Sequence, residues 1–188
     1  MLFYEFPFYF PETYEKSTIT FAFVATHNHF VWVRGGKVFK QSAPVIKLPD
    51  TATEDDHLDL LGLLNSSTLG FWMKQVFHCK GASSGEAIRS EDWEPFWEYD
   101  ATKLKKAPLT KVDRPRRVAL ARALDATAQE RADCLPDAVF RAEWSPDSLA
   151  SSLTEARTRY AQLTHRMVAL QEELDWLTYQ SHGLLEDV

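Results

Sequence analysis

The chain has 188 residues with 45% hydrophobic and 13% aromatic content, which favours a folded domain over a disordered segment. Its net charge of −6 argues against nucleic acid as a partner, because DNA affinity comes largely from neutralising phosphates. Two prolines, Glu5 and Glu12 interrupt the aromatic first sixteen residues, so neither a signal peptide nor a membrane span is expected. Cys79 and Cys134 lie far apart, which predicts a cytoplasmic protein without a structural disulfide.

The charges are segregated along the chain. Residues 16–49 contain five basic residues and no acid. Residues 101–117 contain seven basic residues and one acid, Asp113. The acids are concentrated at residues 54–59 and 91–94 and in the last third of the chain. This segregation permits a basic face on an acidic protein.

The segment 18–48 is dense in β-branched and aromatic residues, which favours β-strands. Gly35 and Gly36 mark a turn, so we predict two or three antiparallel strands around them. Pro44 lies in the last apolar run and indicates a bend or an edge strand.

Residues 50–80 predict two short helices. Thr53 and Asp56 have the spacing of a capping box, and Asn65-Ser66-Ser67 breaks the chain between the helices. Each helix has an apolar stripe, formed by Leu58, Leu61 and Leu64 in the first and by Leu69, Trp72, Met73 and Val76 in the second. The Gly/Ser stretch 81–85 then predicts a loop, and the aromatic segment 93–99 a core strand.

The last third of the chain predicts two more helices. Pro115 lies where the first can begin, and its helical period extends to Pro136. For the second, Ser145 is an N-cap, Pro146 the first helical residue, and Gly183 lies past the end.

The second of these helices carries a continuous apolar seam. Its apolar residues alternate in spacing between four and three, which is typical of a coiled coil. They are Leu149, Leu153, Ala156, Tyr160, Leu163, Met167, Leu170, Leu174 and Leu177. At 1.5 Å per residue the helix would be roughly 50 Å long, so it should pack against the first helix or another chain.

These elements predict an α+β fold with two parts. Residues 1–112 form a small mixed lobe of strands and helices, and residues 113–188 form a long antiparallel helical hairpin resembling a coiled coil.

Four blocks closely resemble the C-terminal region of the PglX-type adenine-specific DNA methyltransferases of bacterial BREX and phage-growth-limitation defence systems. They are ITFAFVATHNHFVWVRGGKVFKQSAPVIKLP, LLGLLNSSTLGFWMKQVFHCKG, W-x-x-F-W-E-Y-x-x-T-K-L-x-x-x-PL and MVALQEELDWLTYQSHGLL. The resemblance extends from about residue 18 to residue 185. It implies a target recognition domain, similar in layout to the specificity subunits of type I restriction systems. In those, a mixed α/β lobe contacts DNA and long helices act as spacer and docking surface.

The catalytic motifs of that family are missing from this sequence. It has no Asp/Asn-Pro-Pro-Tyr/Phe motif for a flipped adenine and no Gly-rich strand-to-helix turn for S-adenosylmethionine. Because a base cannot be methylated within the stack, we expect this chain alone to hold no catalytic or cofactor-binding residue. The resemblance implies that S-adenosylmethionine and a methyltransferase catalytic domain belong to the parent enzyme.

No metal site is expected either. His27, His29, His78 and Cys79 lack the paired spacing of a zinc site. The string His-Asn-His is not the nuclease signature of that name, because HNH nucleases spread those residues over a ββα unit.

For double-stranded DNA as the partner, the first candidate site is Thr26-His27-Asn28-His29. Asn can bond adenine bidentately in the major groove, and His and Thr can contact bases or phosphates. These polar groups can equally well tie a turn together. Asn65 precedes a helix start that can hold a phosphate, although a plain N-cap explains its neighbours Ser66 and Ser67 equally well.

The basic residues are candidates for contacts to phosphate. They are Arg34, Lys37, Lys40, Lys74, Lys80, Lys103, Lys105 and Lys106. Ordinary solvated lysine explains any one of them, but their uneven distribution favours a shared role. Trp72, Trp93 and Trp97 can stack on bases, yet at these spacings tryptophan is more often a core residue.

Our leading interpretation is a domain that gives sequence specificity to a DNA adenine N6-methyltransferase of a phage-defence system. The alternative is a protein-interaction module that docks through its heptad helix on a defence or restriction-modification complex. The heptad seam and the net negative charge favour this alternative. Neither interpretation involves a membrane.

Overall fold

The computed structural model describes residues 16–80, 95–142 and 145–185. The expectations for the first fifteen residues, for the loop at 81–85 and for Trp93 lie outside these residues. The chain divides into two compact units, one of Met1–Asn65 with Leu69–Pro108 and one of Ser66–Thr68 with Leu109–Val188. Within the described ranges no helix is long and apolar enough to cross a bilayer.

The first unit contains two small antiparallel sheets, so the predicted α+β class is confirmed. In the first sheet β1 lies between β3 and β4, and in the second β6 lies between β2 and β5. The strands are β1 (Thr18–Phe21), β2 (Val24–Ala25), β3 (Phe30–Val33), β4 (Val45–Ile46), β5 (His78–Lys80) and β6 (Phe96–Glu98).

The turn at Gly35 and Gly36 is confirmed by their positive φ angles of 102° and 74°. The antiparallel strands expected around this turn are confirmed, and in their sheet β4 pairs with β1 rather than with β3. β1 carries Ile19, which is fully buried, and this strand takes the central position where both of its edges are covered. Pro44 directly precedes β4, an edge strand, as predicted.

Two helices pack beside these sheets, α1 (Glu54–Asn65) and α2 (Ser67–Val76). The capping box is confirmed: the Thr53 amide donates to Asp56 Oδ2 over 2.7 Å, and the Asp56 amide donates to Thr53 Oγ1 over 3.3 Å. The leucines of the first stripe are buried and face β3. A single residue, Ser66, separates the two helices.

A short helix, α3 (Ala101–Leu104), was not predicted from the sequence. The Asp100 carboxylate caps it by accepting a hydrogen bond from the Thr102 amide over 2.7 Å. Its length of four residues is too short to give a periodic pattern.

The second unit contains α4 (Arg114–Ala132), α5 (Pro136–Ala142) and α6 (Pro146–Ser181). Ion pairs join α4 to α6 near both ends of α4, Arg116 to Glu173 at 3.3 Å and Glu130 to Arg159 at 2.9 Å. Residue numbers rise along one helix as they fall along the other, which confirms the antiparallel hairpin. The sequence missed α5, because Pro136 begins this helix as well as ending the preceding pattern.

The predicted end of α6 is confirmed in detail. Gly183 has a φ of 67°, and its amide donates to the Gln180 carbonyl over 2.9 Å. The Leu184 amide donates to the Tyr179 carbonyl over 2.9 Å, which completes a Schellman motif. At the other end Ser145 is the N-cap residue, although its side chain makes no capping hydrogen bond.

The apolar seam of α6 is most deeply buried towards its C-terminal end. Leu163, Leu174 and Leu177 are buried, whereas Leu149 and Leu153 are half-buried. The C-terminal half of the seam is therefore covered within the chain itself. A coiled coil in the strict sense stays a prediction.

Arg117 is fully buried although the sequence places it in the basic segment 101–117. Its guanidinium donates to the Val112 carbonyl over 2.8 Å and to the Thr110 carbonyl over 3.0 Å. This side chain therefore fastens the residues before α4 instead of contributing to a basic surface. Five donors in a planar fork suit it to several carbonyls at once.

We predict that Arg117→Lys destabilises the second unit by about 2 kcal/mol, because one ammonium cannot reproduce the guanidinium fork. Arg116→Lys is the matched control, since its side chain is 62% exposed and its ion pair is worth little. Urea unfolding followed by circular dichroism measures both variants. Equal midpoints for the two would contradict the structural role of Arg117.

Candidate nucleic-acid interface

The loop formed by residues 26–29 connects β2 to β3 and is held by two asparagine amides. Asn28 Nδ2 donates to the Leu64 carbonyl over 2.8 Å. Asn65 accepts from the Phe30 amide over 2.8 Å and donates to the Phe30 carbonyl over 2.9 Å. The loop is thus fastened to the C-terminal end of α1. Both amides already have partners within the fold, so for these two candidates the structure supports the turn-tying alternative.

Gly70 in α2 leaves the space in which the side chain of Asn28 packs. A Cβ atom at this position would lie 2.5 Å from Asn28 Oδ1, which is closer than real Cβ contacts allow. The loop therefore packs directly on the backbone of α2. Glycine in the middle of a helix costs about 1 kcal/mol relative to alanine, and this unfavourable choice is the sequence signal that would have revealed the contact.

The outward side of the loop carries two histidines. His27 and His29 are exposed, and their rings stack with centroids 6.1 Å apart at an interplanar angle of 21°. Thr26 Oγ1 lies 2.8 Å from His27 Nδ1 and forms a hydrogen bond with it. Imidazole edges rather than asparagine amides are therefore what this loop presents to solvent.

The register of the second sheet places the backbone of Lys80 near the start of the 26–29 loop. Ala25 lies opposite Trp97, and Lys80 lies opposite Phe96, in antiparallel pairs on the two sides of β6. The 26–29 loop follows Ala25 and so begins at the end of the sheet where Lys80 of β5 pairs with Phe96 of β6. With adjacent strands about 4.8 Å apart, the two are roughly 10 Å from each other.

Lys80 is only partly available for a ligand. Its ammonium lies 3.1 Å from Glu98 Oε2 and 5.6 Å from the centre of the Phe23 ring. The side chain is nevertheless 45% exposed, so the pair is accessible to salt and to competing anions.

The remaining candidate cations occupy other parts of the first unit. Lys37 and Lys40 are exposed between β3 and β4, and the Arg34 guanidinium lies 4.0 Å above the Trp32 ring. Lys103, Lys105 and Lys106 follow the opposite end of β6, in α3 and just after it. The structure therefore groups Thr26, His27 and His29 in one loop. The Lys80 ammonium reaches instead towards Glu98 and Phe23, and the 103–106 lysines follow the opposite end of β6.

The exposed aromatic residue on α2 is one that the sequence analysis missed. Phe71 is 70% exposed, whereas its neighbour Trp72 is half-buried against Phe77. Phe71 falls outside the apolar stripe of α2, and that mismatch with the helical period is the signal that could have identified it.

Tyr99 follows β6 and is buried, with its ring 5.2 Å from that of Phe77 in an edge arrangement. Burial raises the pKa of its hydroxyl from 10.0 to about 12. In the described part of the chain this hydroxyl has no hydrogen-bond partner. The ring therefore contributes through packing and its hydroxyl does not.

We predict that Tyr99→Phe is at least as stable as the natural chain at pH 7, because it removes a buried hydroxyl without a partner. The free energy of unfolding of the natural chain should fall as the pH rises from 10 towards 12, because the unfolded state ionises first. In Tyr99→Phe this alkaline decline should be shallower. Urea unfolding at pH 7 to 12 tests both points, and a clear loss of stability in Tyr99→Phe at pH 7 would contradict them.

We predict that Gly70→Ala destabilises the first unit by about 1 kcal/mol, because displacing Asn28 from its bond to Leu64 costs more than the helix propensity that alanine gains. Asn28→Ala should remove the clash, so the double variant should lose less than the sum of the single ones. Urea unfolding of the four proteins measures this coupling. Strict additivity would show that Gly70 and Asn28 do not touch.

The described residues contain no group of three or more His, Cys, Asp or Glu side chains that could hold a metal. The described connections from strand to helix, residues 47–53 and 99–100, contain no glycine. These segments do not fit a phosphate-binding or S-adenosylmethionine-binding turn, which needs close approach of the backbone.

The chain is 47% identical over 171 residues to the adenine-specific methyltransferase PglX of Streptomyces coelicolor. The matched part comprises 89% of this chain and 14% of that protein. No protein-family model matches the chain, and no solved structure matches it. The identity supports the resemblance to a PglX-type protein that the four sequence blocks indicate.

Proposed function

We propose that this chain is the DNA target recognition region of an adenine-specific methyltransferase of the PglX type, used in bacterial phage defence. The observation that carries the proposal is the 47% identity to a methyltransferase over residues that contain none of the catalytic motifs. A region of such an enzyme that does not perform the chemistry must serve binding, positioning or specificity. Enzymes that act on a base within duplex DNA need all three.

The firmly held 26–29 loop supports a role in reading sequence. Two amides and the Gly70 contact hold the loop in place. His27 and His29 face outward, and Thr26 is half-buried and hydrogen-bonded to His27. Reading base edges requires side chains in a fixed position, because a misplaced donor loses its discrimination. These three are therefore the proposed base contacts, whereas Asn28 and Asn65 hold the loop in place.

Cations of the first unit would set the register on the duplex. Lys37, Lys40, Lys103, Lys105 and Lys106 are the proposed phosphate contacts, with weaker contributions from Arg34 and Lys80, which have partners of their own. The helical hairpin, residues 113–188, would act as spacer and docking surface for the catalytic domain. That domain would bind S-adenosylmethionine in the parent enzyme. This role places the protein in the cytoplasm with the bacterial DNA.

Binding to duplex DNA at low salt tests the proposal directly. We expect Lys37→Glu and Lys103→Glu to weaken binding and to lower the slope of log affinity against log salt by about one each. Arg141→Glu on α5 changes the net charge by the same amount and should have little effect, because it lies in the helical unit. No binding by the free chain or by the chain joined to a PglX-type methyltransferase would refute the proposal.

A chimeric enzyme tests specificity separately from affinity. The chain would replace the matching region of the Streptomyces coelicolor protein, and methylated sites would be mapped across a genome. We expect the methylated sequence to change while adenine stays the modified base. An active chimera that still methylates the original sequence would place specificity outside this region.

A protein-interaction module remains the second candidate, and exposed apolar residues on α6 favour it. Val168 is 52% exposed and Trp176 is 58% exposed, outside the part of the seam that is buried. Light scattering and cross-linking distinguish the two functions. A stable dimer that lacks DNA affinity would favour docking, and a monomer that binds DNA would favour recognition.

A further inference from the structure

The outer face of α2 is formed by Phe71, Lys74 and Gln75. Lys74 and Gln75 follow Phe71 by three and four residues, which places all three on one side of the helix. All three are exposed, and Phe71 retains 70% of its accessible surface. Burying an aromatic ring of this size contributes about 2 kcal/mol, so the exposed ring of Phe71 could contribute to binding a partner.

The opposite side of α2 is rigidly packed. Leu69 and Met73 are completely buried, and Gly70 lies against Asn28. The outer face therefore has a fixed direction. The contact of Gly70 with Asn28 joins α2 to the 26–29 loop, so that the helix and the loop keep a fixed arrangement.

The outer face carries the positive charge of Lys74. This residue lies in a stretch, residues 60–80, that contains no Asp or Glu, and the other lysine of the stretch, Lys80, is paired with Glu98. Within the described part of the chain, no hydrogen bond or ion pair occupies the Lys74 ammonium or the Gln75 amide. Such a surface is complementary to a polyanion and unsuited to a basic partner.

The three side-chain types match what the major groove of DNA offers. A glutamine amide can bond adenine at N6 and N7, an aromatic ring can contact the methyl group of thymine, and a lysine can hold a phosphate or guanine. A helix of ten residues is roughly 15 Å long and enters a groove about 12 Å wide. A protein partner would use Phe71 but leave the lysine and the glutamine amide without a specific role.

We propose that α2 is the helix that enters the major groove, with Gln75 and Phe71 against base edges and Lys74 on the backbone. This inference rests on the proposed function and specifies which element performs it. In this proposal α2 and the 26–29 loop together form one surface that contacts DNA. The surface is assembled by Gly70, which only glycine can provide without displacing Asn28.

The test uses selection from a pool of random duplex DNA with the full chain, both free and joined to a PglX-type methyltransferase. We expect Gln75→Ala to lower the preference at one base pair about tenfold while others are retained. Phe71→Ala should relax a neighbouring thymine position, and Phe71→Leu should partly restore it. Lys74→Ala should weaken binding to all sequences alike and lower the salt slope by about one.

Matched controls lie on the helical unit. Gln162→Ala on α6 and Phe140→Ala on α5 remove the same chemical groups from exposed positions and should leave the selected sequence unchanged. Thermal unfolding confirms that each variant is folded, which is expected because the replaced side chains are exposed.

The outcomes separate this inference from the proposed function. If the natural chain binds DNA and Lys37→Glu weakens binding, but the α2 variants keep the same affinity and preference, the recognition role stands and the role of α2 is wrong. That result would assign the exposed Phe71 to a protein contact. If neither form of the natural chain binds duplex DNA, the recognition role and the role of α2 are both refuted.

Discussion

The first unit depends on the hydrogen bonds of two asparagine amides. Asn65 bonds both the amide and the carbonyl of Phe30, and Asn28 bonds the carbonyl of Leu64 at the end of α1. A loop between two short strands would otherwise leave these backbone groups to solvent or without partners, at a cost of about 1 to 3 kcal/mol each when buried. The exposure of His27 and His29, and the need for glycine at position 70, both follow from this arrangement.

Features set by neighbouring residues were predictable from the sequence. The Thr53 capping box, the Schellman motif at Gly183 and the edge position next to Pro44 each depend on a few consecutive residues. The pairing of β4 with β1 and the burial of Arg117 were not predictable in the same way. A two-residue strand has almost no period, and the partner of a buried charge is chosen by the tertiary fold rather than by local pattern.

The same distinction explains the candidate site. Sequence reasoning selected Asn28 for its match to adenine and Asn65 for its place before a helix start that can hold a phosphate. Asparagine is equally suited to backbone bonds, and the fold uses both residues for those. Sequence reasoning passed over Phe71 because it considered the residues that form the apolar stripe of α2, and Phe71 lies outside that stripe. The same mismatch with the helical period is what marks an apolar residue as exposed.

The net charge of −6 does not by itself argue against DNA binding, because the fold distributes its charges unevenly. Lys16 and Lys80 are paired with acids, and Arg117 is buried, so these three add little to a basic surface. Lys74 stands in a segment without acids, and phosphate binding depends on such local potential rather than on the total. A few positioned cations give modest affinity that is sensitive to salt, whereas discrimination comes from rigid groups that face base edges. The amides that hold the 26–29 loop, and the glycine beneath it, are therefore more important for specificity than any one lysine.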